Sequence, residues 1–546
     1  KLSLDTKFQE EDKRYLFHPS LMDCAVNSAN FTLEEGFYLP YFYKKISFYN
    51  SVPNEIFVLI TKPEPIQSND LGEFDVKVAN KKGEIICEIN NYTVKKVNPH
   101  KNDDLTYQYI LEKREEKLYA KPKRKLLVYE NYNDTLFQRL KDNGFSPISI
   151  DNLNELYSNN NKEVIDVLLT SDKTDSLKSL KLFLEKIKQL YSLISVDTKI
   201  FYINKQSTTK NVMASNPFEQ AKEGLIKVLG KEKNKNNIKL ITYDEKTNFE
   251  KILNEMKNNS VHKEVKYYNN ERYVKVLKKF NVPVSPIPQK SKIKKNILIV
   301  GGLGGLGIEL TNYLIKNNNI IIIGRSELKL IKNKLASLKN KANIYKTNLS
   351  YFKVDISDKE NSSKKLKKIS EIYNQIDDIY ITVGNEPLGF INNIDSSNFI
   401  ENISSVIIGT EILLSTFKDK GLKNFISFSS INTLLGVPGE ADYIVANSYM
   451  DGFSEWASQI YSHINFKTIS WGGWNKTGLR KEIISNNNSG FKPLSPQIAL
   501  ENMAKVIDQK DKYIIIADLE EDKVSALSNT TGLYFSNKNF LEKTRN

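Results

Sequence analysis

Three polar residues in the last quarter of the chain are spaced as a site for carbonyl reduction would require. Ser430 ends a buried-strand candidate at residues 424–430, Tyr443 opens a predicted helix, and Asn447 lies one turn further on the same helix face. Since open α/β sheets bind ligands at the carboxyl ends of their strands, we expect these side chains to converge there. A serine hydroxyl can hold a carbonyl oxygen, and a tyrosine hydroxyl can protonate the alkoxide that forms from it. The pattern Tyr-x-x-x-Asn is common by chance, so its meaning depends on a hydride donor nearby.

A glycine-rich turn predicts where that donor binds. The buried-strand candidate at residues 297–300 is followed by five glycines, a helix with apolar residues at helical spacing, and a second buried strand at residues 320–323. This strand–turn–helix–strand context is what a glycine-rich pattern needs before it indicates a dinucleotide site, with the pyrophosphate at the helix N-terminus. The alternative is a glycine turn that serves packing alone.

The end of the second strand indicates which dinucleotide binds. An NAD site usually has an acidic residue there for the ribose 2′-hydroxyl, whereas this chain has Arg325 and Ser326, which suit a 2′-phosphate. We therefore predict NADPH as the cofactor. The predicted cofactor-binding residues are Gly301, Gly302, Gly304, Gly305, Leu306, Gly307, Arg325, Ser326, Asp355 and Gly384.

Composition narrows the class of protein. The chain has 546 residues, 40% hydrophobic and 26% charged, which predicts a globular protein of two to four domains. We find no run of about 18 apolar residues, and we expect a cytoplasmic protein without a transmembrane helix. Two cysteines predict neither a disulfide framework nor a metal site.

The net charge of +14 is spread along the chain among acidic residues and asparagines, so we predict no nucleic-acid interface. Steering of an acidic protein partner is the lesser alternative. The first residue is Lys1, which suggests a piece of a longer polypeptide.

The order of apolar runs predicts an α/β protein with two Rossmann-like, doubly wound parallel sheets. Residues 99–288 alternate strand and helix but have no glycine after the first strand, so a dinucleotide could not approach that turn closely. A proline-rich stretch, residues 281–289, is typical of a linker. The second sheet, in residues 289–520, is predicted to have seven strands, and residues 521–546 are predicted to be a further linker.

Residues 1–98 are predicted to be a partial α+β domain. They are rich in strand candidates, with one helix that begins near His18 and a hairpin around residues 80–83. Asp23, in the first turn of that helix, could act as a general acid if its pKa is raised. The alternative is a helix-capping or surface aspartate.

The run HPSLMDCAVN, residues 18–27, resembles the second signature of polyketide synthase dehydratase domains, which is His-Pro-x-Leu-Leu-Asp with a Gln or His four residues after the Asp. The resemblance extends to residues 36–40. It implies the later half of a double hot-dog fold, with Asp23 as its catalytic aspartate and Asn27 at the Gln or His position. The general base of that family is a histidine in an earlier His-x3-Gly-x4-Pro motif, which follows none of this chain's histidines, His18, His100, His262 and His463. We therefore expect this chain alone not to dehydrate a substrate.

The remainder resembles the ketoreductases of modular polyketide synthases, a branch of the short-chain dehydrogenase/reductases. The matching runs are residues 301–307, 428–430, 436–439, 443–447 and 471–474. Residues 99–288 resemble the structural subdomain of that family, and residues 289–520 its catalytic subdomain. The resemblance implies NADPH-dependent reduction of a β-ketoacyl chain that phosphopantetheine tethers to an acyl carrier protein, with neighbouring synthase domains as further partners. It implies that Tyr443 is the acid, that Ser430 anchors the carbonyl and that Asn447 orients them.

One position departs from that family. A catalytic lysine normally lies three residues ahead of a glycine on the helix before the serine strand, and Val406 stands there, ahead of Gly409. Tyrosine is protonated at pH 7 because its ordinary pKa is about 10. The loss of an electrostatic partner nevertheless costs about 10²–10³ in rate. Two interpretations stay open, an active ketoreductase and a reductase-silent structural module that retains the fold. A free-standing dehydrogenase is disfavoured by the dehydratase-like N-terminal region.

Overall fold

The computed structural model describes residues 1–5, 8, 15–28, 37–61, 71–97, 105–115, 125–129, 134–149, 165–171, 175–209, 212–213, 216–233, 237–258, 260–279, 294–475, 490–520 and 534–535. The chain divides into two compact units, Lys1–Asp104 and Leu105–Asn546. His100, Gly36 and the predicted linker at residues 281–289 lie outside the described residues, and the predicted linker at residues 521–546 is described only at two positions.

The first unit packs one helix on an antiparallel sheet. Its elements are β1 (Leu2–Ser3), α1 (Pro19–Asn27), β2 (Phe37–Phe48), β3 (Glu55–Thr61), β4 (Leu71–Ala79) and β5 (Ile85–Val97). The strand order is β1-β3-β4-β5-β2. Apolar residues alternate along β4, where Phe74, Val76 and Val78 are fully buried and form one core with Leu21 and Ala25 of α1. The strands predicted at residues 84–90 and 92–97 are one strand, β5, whose register against β4 shifts.

The first half of the second unit alternates strands and helices, as its apolar runs predict. Its elements are β6 (Thr106–Lys113), β7 (Lys125–Tyr129), α2 (Asp134–Asp142), β8 (Ser146–Ser149), β9 (Asp166–Thr170), α3 (Leu177–Leu190), β10 (Ile200–Gln206), β11 (Thr208–Thr209), β12 (Val212–Met213), α4 (Pro217–Lys233), β13 (Ile238–Asp244), α5 (Phe249–Lys257), β14 (Glu264–Tyr268) and β15 (Glu271–Lys279). We call this the cofactor-free half, after the prediction that no dinucleotide binds where the sequence following β7 lacks glycine.

The second half contains the glycine turn, and we call it the catalytic half. Its elements are β16 (Asn296–Val300), α6 (Gly305–Leu314), β17 (Asn319–Gly324), α7 (Leu328–Ile344), β18 (Leu349–Lys353), α8 (Lys359–Ile372), β19 (Asp378–Ile381), a 3₁₀ turn (Ile391–Asn393), α9 (Ser396–Phe417), β20 (Asn424–Ser430), α10 (Asn432–Leu435), α11 (Ala441–Ile460), β21 (Asn465–Trp471), β22 (Phe491–Lys492), α12 (Pro496–Val506), β23 (Tyr513–Ile516), β24 (Asp518–Leu519) and β25 (Tyr534–Phe535).

The two halves share one continuous sheet. The catalytic half contributes seven parallel strands in the order β18-β17-β16-β19-β20-β21-β23. Its last strand, β23, pairs antiparallel with β6, which pairs antiparallel with β15 of the cofactor-free half. From there β14-β13-β10-β9-β7-β8 continue the sheet, and β25 adds to β15. The prediction of two doubly wound sheets is therefore right for each half, and β6 and β15 join them edge to edge.

Helices of both halves also share one core, in which α4 lies against α11. A Cβ atom on Gly224 of α4 would come within 2.5 Å of the Ser448 hydroxyl of α11, so any side chain here would force Ser448 to move. Leu225 and Ile226 of α4 are buried in the same apolar cluster as Ile444 of α11. The helix that carries Tyr443 and Asn447 is thereby fixed against the cofactor-free half.

One helix in the described part of the chain, α9, is long and apolar enough to cross a membrane by length and composition alone. Polar residues interrupt the apolar residues of α9, so the sequence has no continuous apolar run here. Phe399, Ile403, Ile407 and Phe417 of α9 are buried in the core between the two halves. This burial accounts for the apolar composition of the helix.

Candidate active site

The glycine turn is held too tightly for side chains. Gly301 has φ of +79°, and a Cβ atom on Gly307 would lie 2.1 Å from the Gly301 carbonyl oxygen. The Thr311 hydroxyl donates to the Gly302 carbonyl at 2.9 Å and so ties α6 back to the turn. Gly304 caps α6 without a side-chain hydrogen bond. The first N–H groups of a helix have no acceptor within it, so Gly304, Gly305, Leu306 and Gly307 line a helix end that could hold a pyrophosphate.

Arg325 and Ser326 directly follow β17 and are exposed. The Tyr351 hydroxyl donates to the carbonyl oxygens of Gly324 and Ser326, at 3.0 and 2.7 Å, and fixes the shape of this turn. The Arg325 side chain is therefore attached to a rigid backbone at the carboxyl end of β17. A guanidinium at this place could contact a phosphate on the adenosine ribose.

The other two predicted cofactor residues lie at the same sheet edge. Asp355 follows β18, and its Oδ1 accepts hydrogen bonds from the N–H and hydroxyl of Ser357, at 3.0 and 2.7 Å. Gly384 is exposed beyond β19, the neighbour of β16. The structure thus brings all ten predicted cofactor residues to the carboxyl ends of β16, β17, β18 and β19.

Ser430, Tyr443 and Asn447 converge, as their spacing predicts. Ser430 ends β20, the neighbour of β19, and its hydroxyl oxygen accepts a hydrogen bond from the Asn432 N–H at 3.2 Å. Asn447 donates from Nδ2 to the Tyr443 carbonyl at 2.8 Å. Burial raises the pKa of the Tyr443 hydroxyl, hydrogen bonds with the Ser430 and Asn447 side chains lower it in part, and the charge of Asp451 raises it. Tyr443 is therefore a neutral proton donor at pH 7.

Val406 lies on α9, 2% exposed, in the apolar core. Its carbonyl oxygen accepts a hydrogen bond from the Thr410 hydroxyl one turn later, at 2.6 Å. In the described part of the chain no lysine or arginine contributes to the pKa of Tyr443, which rises rather than falls. The site therefore has a tyrosine and a serine hydroxyl side by side, and a buried valine at position 406.

A polar network beside the site was not predicted from the sequence. Asn385 donates from Nδ2 to the Asn402 carbonyl at 2.6 Å and to the Ser405 hydroxyl at 3.0 Å. The Asn402 side chain donates in turn to the carboxylate of Asp442, which also accepts from the Leu388 N–H at 3.1 Å. Burial raises the pKa of Asp442, and these two hydrogen bonds lower it in part. An acidic residue in the first turn of the predicted helix, directly before Tyr443, was the available sequence signal.

Asp23 of the first unit is exposed on α1. Its Oδ1 accepts a hydrogen bond from the Asn27 amide at 3.0 Å, so the two residues of the dehydratase-like signature are in contact. The charge of Asp23 raises the pKa of the stacked pair Tyr43 and Tyr92, whose ring centroids are 5.0 Å apart, although burial is the larger cause. His18 caps the helix, since its Nδ1 accepts from the Ser20 N–H at 3.2 Å.

Comparison with known proteins defines the class. The family model of the KR domain matches residues 296–476, and that of the polyketide synthase dehydratase N-terminal domain matches residues 1–104. The chain therefore belongs to the polyketide synthases, with a dehydratase region followed by a ketoreductase domain of the short-chain reductase type. KR domains are NAD(P)H-dependent short-chain reductases. The matching dehydratase model describes an N-terminal domain, so the assignment of residues 1–98 to the later half of that fold stays a prediction.

Individual relatives agree with this class. The chain is 22% identical over 550 residues to "Polyketide synthase PksN" of Bacillus subtilis (strain 168), a match that covers 95% of this chain and 10% of the relative. It is 23% identical over 563 residues to "Polyketide synthase PksL" of the same organism, covering 97% of this chain and 12% of the relative. The chain thus spans about a tenth of the length of these relatives.

Solved structures show the same fold. The chain is similar to "The first ketoreductase of the tylosin PKS", with a TM-score of 0.66 and 15% identity, covering 82% of this chain and 100% of that one. At this level of identity the likeness establishes the α/β architecture of the ketoreductase, including its cofactor-free half.

Proposed function

We propose that this chain performs the NADPH-dependent reduction of a β-ketoacyl thioester to a β-hydroxyacyl thioester, on a chain carried by an acyl carrier protein. The observation that supports this most directly is the convergence of Ser430 and Tyr443 at the sheet edge that also holds the glycine turn. Residues 301–307 fit a dinucleotide, because a side chain at Gly307 would collide with backbone. Arg325, exposed beyond β17, favours a 2′-phosphate and so NADPH over NADH.

The chemistry is divided between the cofactor and the chain. When bound, NADPH supplies a hydride for the carbonyl carbon. The Ser430 hydroxyl holds the carbonyl oxygen, and Tyr443 gives its phenolic proton to that oxygen as negative charge develops there. The tyrosinate then regains a proton from solvent. Asn447, bonded to the Tyr443 carbonyl, fixes the turn of α11 that presents the phenol.

A reductase-silent module is the second candidate function, and Val406 favours it. Among the described residues no lysine or arginine lowers the pKa of Tyr443, so none of them stabilises the tyrosinate, and burial of the phenol opposes its formation. In that case the chain would keep the ketoreductase fold and organise neighbouring synthase domains, with or without bound NADPH. The soluble cytoplasm, where carrier proteins and NADPH occur together, is the proposed setting for both functions.

The deciding experiment is NADPH oxidation by this protein with a β-ketoacyl pantetheine thioester, followed by absorbance, with Tyr443→Phe as the control. Steady turnover that the Phe variant lacks supports the reductase. If the folded protein does not turn over, the silent module is favoured, and fluorescence titration with NADPH then measures whether the cofactor binds. Equal rates in wild type and Tyr443→Phe would contradict the assigned role of Tyr443.

A further inference from the structure

A carboxylate of the cofactor-free half reaches into the catalytic half. Glu232 lies in the last turn of α4, and its Oε1 accepts a hydrogen bond from the Gly439 N–H at 3.0 Å. The Ile391 N–H lies 3.4 and 3.2 Å from its two carboxylate oxygens. The Tyr191 hydroxyl, at the end of α3, donates to Oε2 at 3.1 Å. One side chain thus accepts from two backbone segments that are 159 and 207 positions away along the chain.

Both segments border the site. Gly439 ends the run 436–439 and is followed by Glu440, which occupies the N-cap position of the helix that presents Tyr443. Ile391 follows the loop that begins after Ile381, the last residue of β19, and that contains Gly384. The two segments also contact one another, because Gly389 and Glu440 form a parallel β-bridge. Glu232 therefore holds the point where the two loops meet.

Two lysines of the same half contact the chain close to these loops. Lys188 of α3 donates to the Ile394 carbonyl at 2.7 Å, and Lys227 of α4 donates to the Thr433 carbonyl at 3.4 Å. A Cβ atom on Gly436 would lie 2.7 Å from the Lys227 carbonyl oxygen, so the loop runs directly over α4. These contacts attach the loops to the cofactor-free half at several points, of which Glu232 is the one that touches both.

The partial burial of the Glu232 carboxylate costs free energy, because it removes water from a charged group. Burial raises the pKa of Glu232, and the hydrogen bonds from Gly439, Ile391 and Tyr191 lower it in part. Desolvation of a half-buried carboxylate opposes folding unless hydrogen bonds offset its cost. Here the donors that offset that cost are the backbone amides of the two loops.

We propose that Glu232 is a positioning residue, through which the cofactor-free half fixes the two loops that meet just before Tyr443. The cofactor-free half then does more than support the sheet: it sets the geometry in which the phenol and the loop beyond Gly384 meet a substrate. The part of this inference that concerns substrate rests on the proposed reductase function, whereas the part that concerns loop order does not.

Loop order is tested by amide hydrogen exchange on the whole protein. In Glu232→Ala we expect the amides of Ile391 and Gly439 to exchange about tenfold faster or more, because each loses its charged acceptor. Glu232→Gln keeps one acceptor oxygen and should give a smaller increase. Tyr191→Phe, the matched control, removes the third donor and leaves both amides bonded, so their exchange should stay near that of wild type.

Two results would overturn the proposal. One is unchanged exchange at both amides in folded Glu232→Ala or Glu232→Gln protein. The other is an equal acceleration throughout the strands of the catalytic half, which would mean general destabilisation. Because the Gln variant is nearly isosteric, it keeps the test available if the Ala variant does not fold.

Turnover of the β-ketoacyl pantetheine thioester tests whether Glu232 also sets the geometry in which the site meets its substrate. We expect kcat to fall about tenfold or more in Glu232→Ala and less in Glu232→Gln, because a displaced acid loses its alignment. The Kd for NADPH should not change, since the glycine turn is untouched. A kcat equal to that of wild type in both variants would contradict positioning. If wild type itself does not turn over, the reductase proposal fails, and the exchange result still decides the role of Glu232.

Discussion

A Cβ atom added to Gly307 would lie 2.1 Å from the carbonyl oxygen of Gly301. The first turn of α6 and the start of the glycine turn are therefore in direct backbone contact, with no room for a methyl group. A separation this short cannot be relieved by a rotamer change, because both atoms belong to backbone or are bonded to it. The turn must open if residue 307 carries any side chain.

Gly307→Ala should consequently lose NADPH binding before it loses the fold. We expect the Kd for NADPH to rise more than tenfold, because the amides of the first helix turn move away from the pyrophosphate. Gly324→Ala is the matched control for stability, since its Cβ would meet Tyr351 at an ordinary 3.5 Å. Fluorescence titration measures binding, and thermal unfolding checks both folds. Unchanged affinity in Gly307→Ala would mean that the glycine turn serves packing alone.

Arg325→Ala should reduce the preference for NADPH. We expect the affinity for NADPH to fall about tenfold to a hundredfold, as removal of a charge-assisted phosphate contact implies, with little change for NADH. Lys329→Ala, another exposed cation in the following helix α7, is the control for general electrostatics. Parallel titrations with both cofactors at constant ionic strength measure this. An equal loss for NADPH and NADH would contradict recognition of the 2′-phosphate.

Val406→Lys should raise turnover by about 10²–10³ if the missing ammonium limits the reaction. The substitution places a cation in an apolar setting, so the free energy of unfolding should fall as well. Val406→Met is the control, because it fills a similar volume without charge and should give no gain. Steady-state assays of the three proteins make the comparison. No gain in a Lys variant that still binds NADPH would show that the absent lysine does not explain low activity.

The pH dependence of kcat follows from the raised pKa of Tyr443. The protonated phenol is the active form, so ionisation of Tyr443 should cause no loss of kcat between about pH 7 and pH 9, below its ordinary pKa of about 10. In Val406→Lys the new charge lowers that pKa, and the alkaline loss should begin at lower pH. Assays across this range with a pH-stable thioester measure both curves. A loss of wild-type kcat near neutral pH would identify another ionising group.

Acid stability depends on a buried ion cluster in the cofactor-free half. Glu255 of α5 pairs with Lys239 at 2.5 Å and with Arg272 at 2.7 Å. Burial alone would raise the pKa of Glu255, but the hydrogen bond from Arg272 and the two positive charges outweigh it and lower the pKa to about 2. A lowered pKa stabilises the fold above the ordinary value of 4.5, and this contribution is lost as the pH falls from there toward about 2.

Glu255→Gln should therefore lower the free energy of unfolding at pH 7 by about 3–5 kcal/mol, because it removes the negative charge that faces two buried cations. The loss of stability between about pH 4.5 and about pH 2 should be smaller in this variant than in wild type. Glu360→Gln, which breaks an exposed pair with Lys364, should change stability by less than about 1 kcal/mol. Urea unfolding at several pH values measures all three. Equal stability of wild type and Glu255→Gln at pH 7 would contradict the role of the cluster.

The sequence predicts those parts of the protein whose structure depends on residues close together in the chain. The glycine turn, the strands 297–300 and 320–323, and the spacing of Ser430 and Tyr443 each depend on neighbouring residues, and the structure has them as predicted. The Asn402–Asp442 contact joins positions 40 residues apart, and that of Glu232 with Gly439 joins positions 207 apart. Such pairs depend on how helices cross, which apolar periodicity does not specify.

Strand β6 shows the same limit. Its sequence, TYQYILEK, has no turn signals of its own and only half-buried side chains along most of its length, so it does not stand out from a linker. Its structure depends on two partners far along the chain, β15 and β23. This strand was not predicted, so the two predicted sheets lacked the strand that joins them.

The place of β6 has a consequence for how the protein is made. Tyr107 leaves the ribosome about 400 residues before its partner Ile515, at the far end of the second unit. Until β23 is synthesised, one edge of β6 has unpaired backbone groups that can associate with other chains. We expect a nascent chain halted before residue 513 to be prone to aggregation. The second unit should reach its native structure only when the last parallel strand, β23, is complete. The two halves of the second unit therefore share one sheet that is complete only when both β6 and β23 have been synthesised.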